Sequence, residues 1–97
     1  MTTFEFVKGQ MPQFPTQDQI VDIAHTQISD FIINLNQKKY FVEVNMTPAF
    51  LESSLSVCVI QLTPDYKLTN NMKQTSLTAS NWEQTKSYLN DFILTNF

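Results

Sequence analysis

The residues whose types and spacing could support chemistry are few. Asp18, Asp22 and His25 fall at i, i+4 and i+7. On a helix this spacing puts two carboxylates and an imidazole on one face, with Ser29 continuing the row. Such a set can hold a divalent metal. It is also what the solvent face of an amphipathic helix ordinarily carries, and no ligand from a second element accompanies it. Asp18, Asp22 and His25 therefore stand as the metal candidates, and no metal or cofactor is assigned. His25 is the sole histidine. As a general base it needs a nucleophile and an orienting group within hydrogen-bond reach, and the sequence names neither. Cys58 is the sole cysteine and lies in an apolar run. That is the setting of a small buried hydrophobe; a reactive thiolate needs a helix N-terminus or a cation beside it. Gly9 is the only glycine, which excludes phosphate loops built on paired glycines. No catalytic residue emerges.

Composition narrows the partners. The chain has 97 residues, 42% hydrophobic and 15% charged, with a net charge of −3 and no arginine. This length suits one domain, residues 1–97, able to bury roughly 65% of its unfolded surface. Nucleic acid is disfavoured, because phosphates and base edges are held through clustered Lys and Arg. The six lysines are scattered, which also leaves no polybasic patch for anionic lipid. No apolar stretch nears a membrane span, and the N-terminus has no signal-peptide order. One cysteine gives no intramolecular disulfide and no sign of an oxidising compartment. A cytoplasmic protein is expected. Lysine without arginine, with abundant asparagine, points to an AT-rich gene and hence to a bacterium or its phage.

The elements that would position these residues follow from periodicity. Residues 3–7 alternate and read as a short strand. Residues 8–15 hold the glycine and two prolines and read as a loop. A helix is expected over residues 17–35. Thr16 and Gln19 have capping-box spacing, and Ile20, Val21, Ala24, Ile28, Phe31, Ile32 and Leu35 make one wide stripe. Ile23 and Ile33 fall off that stripe, which suggests a second buried surface. Residues 39–46 alternate as a half-buried strand. Phe50 and Leu51 sit on a connector. Residues 54–62 are the densest β-branched run and read as the central strand, apolar on both sides: Leu55, Val57 and Val59 one way, Cys58, Ile60 and Leu62 the other. Pro64 makes a turn. Residues 72–78 fit either a strand or a loop. A last helix is expected over 81–96, with a Ser80–Glu83 capping box and Trp82, Leu89 and Ile93 sharing a face.

This order predicts an α+β two-layer sandwich: a mostly antiparallel sheet of three to five strands with both helices on one face. From Thr16 onward, helix–strand–strand–strand–helix is similar to the element order of the double-stranded-RNA-binding fold. That family places lysines at the start of its last helix, where this chain has Asn81-Trp82-Glu83, so the likeness is one of topology alone.

Three functions are weighed. The first is a non-enzymatic protein-interaction module, homodimeric, with interface candidates Phe14, Ile23, Ile33, Phe50, Leu51 and Val59. On this reading a lysine at Val59 or Ile33 dissociates the dimer without unfolding it. The second is a phage- or mobile-element-encoded inhibitor or immunity-type protein that binds a host protein; the nine dispersed acids place it lower. The third is a metal-dependent activity on the Asp18/Asp22/His25 face.

Overall fold

Apolar alternation at period two dictates most of what the chain builds. The computed structural model describes residues 3–8, 14, 26–49 and 52–97. They form β1 (Thr3–Lys8), β2 (Gln27–Leu35), β3 (Lys38–Thr47), β4 (Ser53–Leu62), β5 (Leu68–Ala79) and α1 (Trp82–Asn96). The strands lie side by side in chain order, each pair antiparallel. The result is an α+β meander with α1 packed on one face.

The expected helix over residues 17–35 is corrected in its second half. Gln27–Leu35 is a strand, and α1 is the one helix among the described residues. Ser29, Phe31, Ile33 and Leu35 are buried while the residues between them are more exposed, a period of two that a helix cannot produce. The likeness in element order to the double-stranded-RNA-binding fold falls with this correction. The expected strands over 39–46 and 54–62 are present as β3 and β4. Residues 72–78, undecided in the sequence, belong to β5.

The core is one sheet face against α1. Across the register, Phe6, Phe31, Val42 and Val59 form one row; Ser29, Val44, Val57 and Thr75 form the next. Leu89 and Ile93 of α1 belong to the same core cluster, and Thr85 is buried as well. At the β1 side the seam is aromatic. Trp82 lies 6.0 Å from Phe4, 5.7 Å from Phe6 and 5.6 Å from Phe31, ring centre to ring centre, within the range where edge-to-face pairs add to burial. At the far end Phe97 packs edge-on against buried Tyr40 at 5.2 Å, and that burial pushes the Tyr40 hydroxyl pKa up from its usual 10.0.

Local chemistry sets the ends of the elements. Asn81 caps α1: its side chain accepts from the Gln84 N–H at 2.8 Å, and the Gln84 amide oxygen accepts from the Ser80 N–H at 2.7 Å. The cap therefore sits one residue later than the expected Ser80–Glu83 box. Glu83 does pair with Lys86, at 3.0 Å, an exposed contact worth only a few tenths of a kcal/mol. The β4–β5 turn closes through Tyr66 N–H to Thr63 C=O and Thr63 N–H to Lys67 C=O, both 2.9 Å, with Pro64 presetting φ. Beyond it, β5 bulges opposite Gln61: the Thr69 hydroxyl donates to the Gln61 carbonyl at 2.6 Å and the Asn71 amide to the Gln61 side chain at 2.8 Å.

The β2–β3 hairpin turns on two residues, Asn36 at φ 52° and Gln37 at φ 65°. Both are left-handed, as a two-residue turn matching strand twist requires. Asn tolerates this conformation; Gln pays the Cβ clash. Gln37→Gly is expected to stabilise the fold by about 1 kcal/mol, read as a raised urea midpoint with an unchanged slope.

Candidate interaction surface

The sheet face away from α1 is built by the alternate residues of the same strands. No described element packs on it. In register across all five strands, one row reads Glu5, Ile32, Phe41, Ile60, Met72. Ile32, Phe41 and Ile60 are half-buried by their neighbours, and Met72 on β5 is 49% exposed. The row beside it reads Lys8, Asp30, Glu43, Cys58, Gln74. The next reads Ile28, Asn45, Ser56, Ser76. Asn45, Thr47, Ser54, Ser56, Ser76 and Thr78 line a shallow open groove of about 480 Å³, uncharged and rich in hydrogen-bonding groups. The face is thus one apolar stripe bordered by an acidic pair and a hydroxyl-rich end.

The acidic pair is placed at a cost. Asp30 stands directly opposite Glu43 on one side, where like charges destabilise a strand pair, and opposite Lys8 on the other, where unlike charges offset part of that. One carboxylate oxygen of Asp30, Oδ1, is buried with no hydrogen-bond partner among the described residues, a desolvation that folding has to offset.

The second feature is the edge. β5 pairs with β4 on one side, and among the described residues no strand pairs with its other side. It is the longest strand, 12 residues, and mostly exposed. It holds no Pro or Gly and one charge, Lys73. Natural edges of this length are usually blunted by several such devices.

The structure sorts the sequence candidates. Ile33 and Val59 are both 0% exposed, beneath α1 in the core. Their position as interface residues is corrected: each occupies the core face of its strand, with no surface left for a partner. Phe14 is partly buried and packs against the core. Trp82 shares the core seam with Phe4, Phe6 and Phe31. Asp18, Asp22, His25, Ile23, Phe50 and Leu51 lie outside the described residues. Among the described residues no group of three His, Cys, Asp or Glu could hold a metal, and no helix is long and apolar enough to cross a membrane. What the sequence reading missed is the other side of the strands, Ile32, Phe41 and Met72. The available signal was that apolar residues occupy both parities of residues 28–33 and 40–46.

Comparison with protein-family models, with curated proteins and with solved structures finds no match to this chain. A functional reading rests on its own surfaces.

Two substitutions check this placement. Val59→Lys puts an unpaired charge in the core and is expected to cost about 4 kcal/mol or more, seen as loss of the cooperative unfolding transition or a sharply lowered midpoint. Glu43→Thr removes the like-charge pair, leaves Asp30 opposite Lys8 and suits a strand. It is expected to raise stability by roughly 0.5–1 kcal/mol, measured by urea unfolding.

Proposed function

We propose that this protein is a small non-enzymatic protein-interaction module that works as a homodimer. The observation that carries the reading is the apolar row Ile32–Phe41–Ile60–Met72 on the sheet face opposite α1, running out to the edge of β5, which no described strand pairs. Apolar surface left in a contiguous row marks interaction sites, and a free edge is a template for another strand. Low surface charge lends the same support, since 15% charged residues give weak repulsion between copies. The setting that goes with this reading is the cytoplasm of a bacterium or of a phage-infected cell. Support for it comes from composition: a single cysteine, and lysine used without arginine.

The test is molar mass in solution, by light scattering across a wide concentration range. A species near twice 11.2 kDa at micromolar concentration is the expected result. A mass that stays at the monomer value up to millimolar concentration rejects the homodimer.

A further inference from the structure

We propose that two copies join edge to edge through β5, antiparallel about a two-fold axis at Thr75, with Lys73 of each copy seated against Asp91 of the other. This inference rests on the self-association just argued and assigns its geometry.

The register follows from four constraints. First, residues 69–71 bulge against Gln61, so the regular edge is residues 72–79. A partner strand has to pair within that stretch. Second, both copies have to keep their apolar core faces on the same side of the joined sheet. The two-fold axis then stands perpendicular to the sheet, and each residue meets one of the same parity. Third, an axis at Lys73 would oppose two like charges and is disfavoured. Axes at Gln74, Thr75 or Ser76 remain. An axis at Gln74 brings the bulge into the pairing after five residues. Axes at Thr75 and Ser76 each give seven regular pairs.

The fourth constraint decides between these two. Lys73 ends the core-face row of Phe31, Val42 and Val59 on β5. It is exposed and has no ion pair among the described residues. Asp91 on α1 is likewise exposed and without an ion pair there. Between α1 and β5 runs an open groove of about 320 Å³ lined by Thr75, Leu77, Tyr88, Asp91 and Phe92, among others. An axis at Thr75 puts the partner's Lys73 directly across from Leu77, at the mouth of this groove. Its aliphatic stem lies along Leu77 and Phe92, and its ammonium meets Asp91, the way long cationic side chains cover apolar surface while keeping the charge at its rim. An axis at Ser76 puts the same lysine across from Ala79, one residue pair past the groove. The Thr75 register also sets Thr75 against Thr75 and Gln74 against Ser76, both favourable cross-strand neighbours.

The charge distribution supports a second copy over a foreign strand. The chain is net negative, yet residues 66–82 contain no carboxylate and two lysines. Any extended peptide could satisfy the backbone of β5. A second copy also brings a lysine into register with the free carboxylate at the groove, and does so twice.

The experiment is a charge swap read by sedimentation equilibrium, with a cross-link as a second measurement. Lys73→Glu and Asp91→Lys are each expected to weaken the dimer at least about tenfold, while the exposed positions leave the fold intact by circular dichroism. Lys73→Glu combined with Asp91→Lys restores association to near the parent value. In a Cys58→Ala background, Thr75→Cys oxidises to a covalent dimer, because only residues at the axis face their own copies. A dimer indifferent to both reversals, or weakened by each without rescue by the swap, or one that Thr75→Cys fails to cross-link, overturns the edge register and leaves self-association standing. A parent protein that is monomeric throughout removes both.

Discussion

The fold depends on a mismatch of widths. Five strands at about 4.8 Å spacing span roughly 19 Å, and one helix with its side chains covers about 10–12 Å. α1 packs on the face where Val42, Val44, Val57 and Val59 are completely or almost completely buried. The two flanks are then solved differently. On the β1 side Phe4, Phe6, Phe31 and Trp82 fill the gap with large rings. On the β5 side Tyr88 and Phe92 of α1 line the space beside Thr75 and Leu77 without closing it, and the groove stays open. Among the described residues one helix serves five strands, and the open groove and the exposed β5 edge follow from that.

The parts of this arrangement that sequence made legible are those where one side of an element is buried and the other wet. β3 alternates, the Pro64 turn carries its own stereochemistry, and α1 has both a cap and a stripe. β2 was illegible for a physical reason. Ile28, Phe31, Ile32 and Leu35 fall at i, i+3, i+4 and i+7, a helical stripe, although Phe31 and Leu35 face the core and Ile28 and Ile32 the open side. A strand apolar on both faces loses its period of two, and the remaining residues can mimic a period of 3.6. Ile33, which broke the helical pattern, was the residue that belonged with Phe31 and Leu35.

The same ambiguity governed the candidate surface. Apolar residues on both sides of residues 54–62 were visible in the sequence, and they do divide into a core side and an open side. Which side is which depends on where α1 lies, and β4 alone does not encode that. Val57 and Val59 went under the helix; Cys58 and Ile60 did not. The β5 edge was harder still. An edge strand exposed on most of its residues has no reason to alternate, so residues 72–78 fit a strand and a loop equally well. Its strand character comes from pairing with β4 and from the Thr69 and Asn71 hydrogen bonds to Gln61, contacts between residues about ten apart.

The meander connectivity has a kinetic side. From β2 to β5 each strand pairs with the one before it across a connection of two to five residues, so this part of the sheet can grow by successive hairpins, a topology that favours rapid assembly. α1 follows all five strands. During synthesis the sheet can therefore be complete in its hydrogen bonds while the row from Phe31 to Val59 is still open to water. An exposed apolar sheet of this kind is the species most prone to aggregate. The asparagine cap and the Glu83–Lys86 pair are contacts local to α1, and so do not wait for the core to close.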